Sequence, residues 1–136
     1  MNDCIFCKII RGEIPSDKVY EDENIFAFLD INPVNIGHTL LAPKEHHENI
    51  FDLPENVLDK LSSASKKLSL AIKNALNADG VNVTSNNGRA AGQLIDHAHI
   101  HIIPRYENDG FKHWKGAGGY QEGEAKITAE KIKSNL

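Results

Sequence analysis

His97-Ala98-His99-Ile100-His101-Ile102-Ile103-Pro104-Arg105 alternates histidine with apolar residues and stops at a proline. Successive side chains of a strand point to opposite faces, so His97, His99 and His101 share one face. Two residues of strand span about 6.6–6.8 Å, which gathers neighbouring imidazoles around one small group. Ala98, Ile100 and Ile102 turn to the other face and need an apolar partner. Imidazole can donate, accept or ligate near neutral pH, so three of them can divide the work of a reaction. A solvated, histidine-rich strand face is the bland alternative, and alternating histidines that ligate zinc are a third.

The surrounding pattern supplies a sheet and one long helix. Val19-Tyr20-Glu21 and Ile25-Phe26-Ala27-Phe28-Leu29 form a hairpin pattern, and residues 38–42 read as a third strand ended by Pro43. Asp52 as N-cap, Pro54 and Glu55 then announce a helix. Leu58, Leu61, Ala64, Leu68, Ile72, Ala75 and Leu76 continue it at helical spacing to just before Asp79-Gly80. Residues 81–85 alternate as a fourth strand, a turn-rich loop covers 86–92, and 98–103 is the fifth strand. Residues 1–106 thus read as one domain, and 107–136 as a glycine-rich tail with a short helix over 128–133. The fold class expected is α+β, with a mainly antiparallel five-stranded sheet, one long helix and a short C-terminal helix.

Composition sets the outer limits. The 136 residues are 40% hydrophobic and 25% charged, as expected of a single globular domain without disulfide staples. Fifteen basic against nineteen acidic residues give a net charge of −4, which offers no global attraction to nucleic-acid polymers or anionic membranes. Neither a signal peptide nor a membrane span is legible, so a cytoplasmic protein is expected. Cys4 and Cys7 form a C-x-x-C, which in that compartment points to metal or redox chemistry. A zinc site would need two more ligands, for which His46 or His47 and His97 are candidates.

The run from His97 to Ile103 resembles the signature of the histidine triad (HIT) family. Cys4-Ile5-Phe6-Cys7-Lys8-Ile9-Ile10, Phe28-Leu29-Asp30-Ile31, Gly37-His38-Thr39-Leu40, Pro43-Lys44-Glu45-His46 and Gly92-Gln93 match in the same order, from Cys4 to about Arg105. The chain is most similar to the nucleotide-binding Hint branch. That resemblance implies a homodimer with its two sheets joined, acting on purine nucleoside phosphoramidates or related nucleotide conjugates.

The same resemblance gives each residue a part. His99 would attack an α-phosphorus and form a covalent nucleotidyl intermediate, releasing a nucleoside monophosphate after hydrolysis. His38 would lie beside His99 and orient it, and His101 would hold the phosphate oxygens. Asn86 and Gln93 would donate to the phosphoryl or leaving group, although both also suit a plain turn. Asp30 would hold the ribose hydroxyls. Phe6, Ile9, Phe28, Ile31 and Leu40 would form the base slot, with ordinary core as the alternative, strongest for Ile9 and Leu40. Cys4, Cys7, His46 and His97 would hold a structural zinc, leaving His47 and His113 at the surface. Leu94 departs from the family's usual small hydroxyl residue, and Asp96 is unusual directly before the triad. A dinucleoside polyphosphate hydrolase, a nucleotide-binding adaptor with weak catalysis, and a zinc-dependent thiol protein stay open as alternatives.

Overall fold

The period-two alternation of apolar residues builds the centre of the molecule. In the computed structural model, which describes residues 3–136, β1 (Lys18–Glu21), β2 (Ile25–Leu29), β3 (Thr39–Pro43), β4 (Gly80–Thr84) and β5 (Ile100–Arg105) form one sheet. The strand order is β1-β2-β3-β5-β4, and every neighbouring pair is antiparallel. The α+β class and the five-stranded sheet are as the sequence leads one to expect.

Each face of the sheet has its own cover. Ile25, Ala27, Leu41 and Ile102 point to α2 (Glu55–Ala75), which buries Leu61, Ala64, Leu68 and Ile72 against them. Burying a large aliphatic side chain there contributes about 1.5–3 kcal/mol before entropy costs. Phe26, Phe28 and Leu40 point the other way, onto Phe6 and Ile9 of α1 (Ile5–Ile10). His101 on β5, with His97 and His99 just before it, lies on the α1 side of the sheet, opposite the core under α2.

Several boundaries differ from expectation, among them the C-terminal helix, which begins at Glu124 rather than at 128. Pro54, not Asp52, occupies the N-cap position of α2. The Asp52 carboxylate instead turns back and accepts the Glu48 and Asn49 N–H groups at 3.1 and 3.0 Å, closing a turn of its own. The helix ends at Ala75, and Asn77 just beyond it takes a left-handed φ of 50°. β5 starts at Ile100 rather than at 98, because Ala98 is held outside the ladder, its N–H donating to the His47 carbonyl at 2.7 Å. The sequence pattern does not predict α1, because six residues are too few to display a helical period.

Gly37 sets the entry to β3. It has a φ of +99°, and a Cβ there would run into Leu76. After β5 the chain is exposed through residues 110–123 and ends with α3 (Glu124–Lys133), which carries no buried residue. No described helix is long and apolar enough to cross a membrane.

Candidate active site

β5 and the extended residues before it carry the histidines to one end of a cleft of about 500 Å³ between α1 and the sheet. Phe6, Ile9, Phe28 and Leu40 line its apolar interior. Phe6 stands edge-on to Phe28, with ring centroids 5.2 Å apart, and to His99 at 5.0 Å. Asp30 and Asn86 supply polar groups, His99 and His101 close the far end, and exposed Ile31 and Leu94 stand at the mouth. An apolar slot with a few convergent polar groups suits a flat aromatic ring joined to a polar chain.

Hydrogen bonding assigns a tautomer to each imidazole. The Nδ1–H of His99 donates to the His97 carbonyl at 2.6 Å. Its Nε2 therefore carries a lone pair, and it has no partner among the described residues. The Val34 N–H donates to Nδ1 of His38 at 3.1 Å, so the proton of His38 sits on Nε2. That Nε2–H donates to Nδ1 of His101 at 2.9 Å, which leaves His101 with a free Nε2–H. One ring thus offers a lone pair and its neighbour, with centroids 4.9 Å apart, offers a donor. His38 contacts His101 rather than orienting His99 directly; the orienting group for His99 is a backbone carbonyl.

Burial disfavours the charged form of these rings. It lowers the pKa of His99 and of His38, with the Asp30 carboxylate opposing the shift in both. His101 is pushed down to about 4, first by burial and then by His99 and His38 beside it. An unfolded histidine titrates near 6.5. Between pH 6.5 and about 4 the unfolded chain therefore takes up a proton that the folded chain refuses at His101. Stability should fall as pH drops through that window, with no further loss from this group below it. Thermal melts should show Tm decreasing from pH 7 to 4.5, and His101→Gln should flatten the slope. A slope unchanged in the variant would remove His101 from the account.

A second cluster lies behind the first. Cys4, Cys7, His46 and His97 bring one ligand atom each within 4.8 Å of one another. The Sγ–Nδ1 separations are 3.5 Å for Cys4–His97, 3.4 Å for Cys7–His46 and 3.6 Å for Cys7–His97. Tetrahedral zinc with ordinary Zn–S and Zn–N bonds sets such corners about 3.6 Å apart, so the donor set fits. The Nε2–H of His97 donates to the Pro43 carbonyl at 2.8 Å, leaving Nδ1 free to ligate, the usual arrangement around a metal-bound imidazole. Burial raises the pKa of the Cys7 thiol, with Cys4 adding to it, so a thiolate there calls for a cation. Asp30, His38 and His101 form another close group, but its imidazoles already bond to one another.

Most residues expected at the site are gathered there: Phe6, Ile9, Phe28, Asp30, Ile31, Leu40, Asn86, His99 and His101 all line the cleft. Gln93 does not line the cleft. It is 2% exposed, and its Nε2 donates to the Glu48 and Ile95 carbonyls at 2.6 and 3.0 Å, while its Oε1 accepts the Gly88 N–H at 2.8 Å. No donor of its amide is left for a phosphate. His47 is also largely buried rather than on the surface, its Nε2 3.8 Å from the Glu45 carboxylate and without a hydrogen-bond partner among the described residues. Ser16, Asn32 and Ile95 line the cleft unannounced, since no spacing rule marks them. The Val34 N–H and the His97 and Pro43 carbonyls set the tautomers, and backbone groups leave no trace in residue type.

The sequence profile of the HIT domain matches residues 11–108. The chain is 43% identical over 106 residues to a Candida albicans protein named adenosine 5'-monophosphoramidase HNT1, covering 75% of this chain and 70% of that one. It is 49% identical over 108 residues to adenylylsulfatase HINT3 of Arabidopsis thaliana, covering 79% of this chain and 55% of that one. A crystal structure of a HIT family member from Bacillus subtilis superposes with a TM-score of 0.91 at 44% identity, covering 98% and 97% of the two chains. A zinc-bound histidine triad family protein from Mycobacterium smegmatis does so with a TM-score of 0.79 at 31% identity, covering 99% of each.

Proposed function

The chain belongs to the HIT domain family, and from that premise we propose that it hydrolyses purine nucleoside phosphoramidates or related nucleotide conjugates through a nucleotidyl-His99 intermediate. The observation that carries this is the tautomer of His99, whose Nδ1–H is bound to the His97 carbonyl so that Nε2 is free as a nucleophile. The base lies among Phe6, Ile9, Phe28 and Leu40, with Ile31 at the rim, and the carboxylate of Asp30 accepts from the ribose hydroxyls. Nε2 of His99 attacks the α-phosphorus, the P–N bond to the leaving amine breaks, and the amine departs with a proton from water. The free Nε2–H of His101 and the amide of Asn86 donate to the phosphoryl oxygens as charge spreads over them. Water then displaces His99 from phosphorus, regenerating the imidazole and releasing the nucleoside monophosphate. Splitting one displacement into two is the gain of covalent catalysis.

The test is a rapid quench of a single turnover of adenosine phosphoramidate. Mass spectrometry of the digest should find an adenylyl group on the peptide containing His99. Turnover without any such adduct, at every quench time, would point to direct attack by water.

The charge around the cleft favours phosphoramidates over dinucleoside polyphosphates. No Lys or Arg lines it among the described residues, and Asp30 is its one acidic group. The nearby Arg89 guanidinium is committed to the Gln93 and Leu94 carbonyls and to Asp96. Each missing charged hydrogen bond costs about 1.5–3 kcal/mol, so kcat/KM for diadenosine tetraphosphate should be lower by about 100-fold or more. Equal values for the two substrates would reverse the assignment of the leaving group. Nucleotide binding without turnover on either would make the protein an adaptor.

Zinc on Cys4, Cys7, His46 and His97 is part of the same proposal, in a structural role that leaves His99 free. It is supported by the ligand spacing and by the zinc-bound M. smegmatis relative. The working unit is a homodimer, for which β4 supplies an open sheet edge with Val83 exposed beside it. Light scattering should return twice the mass of one chain.

A further inference from the structure

The Cys/His cluster and the nucleotide cleft share two pieces of structure. The first is α1: Cys4 stands at its N-cap, Cys7 lies one turn on, and Phe6 and Ile9 between and beyond them line the cleft. A six-residue helix cannot hold itself together, so its place depends on what grips it. Phe6 packs on His97 and His99 at once, with centroid separations of 5.8 and 5.0 Å. The second is His97, fully buried, whose Nδ1 faces both thiols and whose Nε2–H is anchored on Pro43. The carbonyl of this same residue accepts the Nδ1–H of His99. One residue therefore touches the cluster with its side chain and orients the nucleophile with its backbone.

We propose that metal in the Cys4–Cys7–His46–His97 cluster sets both the α1 wall of the nucleotide cleft and the orientation of His99, so that these four are positioning residues for the reaction and not only a staple for the fold. The proposal rests on the nucleotidyl-transfer reading above for its catalytic half, and on nucleotide binding alone for its other half. The core under α2 shares no side chain with the cluster, which lets the sheet persist when the cluster is empty. Metal loss then acts on two measurable quantities. A loosened α1 weakens nucleotide affinity, and a released His97 lets the His99 ring turn, slowing the step at saturating substrate.

The experiment compares zinc-loaded and chelator-treated protein at one temperature below both melting transitions. AMP affinity is read by calorimetry, and the single-turnover rate on adenosine phosphoramidate is read at saturation. The expected result is one zinc per chain and, on its removal, a tenfold or greater rise in the AMP Kd with a tenfold or greater fall in the saturated rate. Such effects match those seen when groups supporting a metal site are lost. Readding zinc should restore both. Cys4→Asp, which keeps an oxygen ligand, should retain tighter AMP binding in zinc than Cys4→Ala does. Failure to bind zinc, or equal Kd and rate with and without it, overturns the proposal and leaves the hydrolase reading standing. Zinc-dependent AMP binding with no turnover overturns the hydrolase reading and leaves the cleft-wall half standing. Should chelation unfold the chain, the Cys4 pair decides: two variants that also unfold in zinc would make the cluster a folding element only, against the proposal.

Discussion

Replacing His99 with alanine is expected to lower kcat/KM on adenosine phosphoramidate by about 10⁴-fold or more, the scale on which loss of a covalent nucleophile is felt. AMP affinity should change much less, because the aromatic and aliphatic walls of the cleft stay in place. The reason lies in what the neighbours cannot do. His101 is the nearest ring, but its Nδ1 lone pair is taken by the Nε2–H of His38 and its Nε2 carries a proton. His97 is turned away towards the thiols, with its Nε2–H on Pro43. No other imidazole is left with a lone pair facing phosphorus, so the variant can only use water. His101→Ala should cost less, about 10²–10³-fold, since it removes one donor to the phosphoryl oxygens and leaves the nucleophile. A His99→Ala protein that retained a tenth of wild-type turnover, measured free of contaminating hydrolase, would sink the assignment.

The separation of the two apolar clusters explains why such variants should remain folded. Ile25, Ala27, Leu41 and Ile102 pack with α2, whereas Phe26, Phe28 and Leu40 pack with Phe6 and Ile9 beneath the cleft. Alternation along β2 and β3 makes this division automatic, as neighbouring residues must face opposite sides. A change on the α1 face alters the cleft without opening the core under α2. Leu68→Ala, on the other side, should cost about 2–5 kcal/mol of stability and leave the geometry of the histidines intact.

Patterns that repeat along the chain were the legible part. The alternation at 97–102 placed three imidazoles on one side of the sheet, and the spacing from Leu58 to Leu76 marked α2, because burial of one face dictates residue type at fixed intervals. What stayed hidden was local or made by the backbone. α1 has too few residues for a period, and its apolar side chains are shared between helix packing and the cleft wall. Asp52 looked like a cap because its residue type and its distance from Glu55 suit one, yet the chain turns before the helix and uses it there. The family resemblance sets His38 beside His99, whereas the antiparallel register of β3 on β5 pairs Leu40 with His101 and brings the His38 ring to His101. Register is a property of two strands together, and neither strand states it alone.

Gln93→Ala should cost stability rather than chemistry, with a loss of about 2–4 kcal/mol and a Tm lower by roughly 10 °C. The Gln93 amide joins three segments: it donates to Glu48 and Ile95, and accepts from Gly88, with Asn49 a further donor at 3.4 Å. Alanine would leave two part-buried carbonyls and an N–H without this partner in the loops that deliver the chain to His97. Turnover per folded molecule at low temperature should stay within a few fold of wild type, because no donor of that amide reaches the cleft. A residue that donated to phosphate would behave oppositely, losing rate or affinity at an unchanged Tm. Gln93→Glu sharpens the contrast. A carboxylate keeps the shape and could still contact a phosphate only by repulsion, but here it would also set an oxygen against the Glu48 and Ile95 carbonyls. Its Tm should therefore fall at least as far as that of the alanine variant near pH 7, and recover in part as the pH is lowered and the new carboxyl regains a proton to donate.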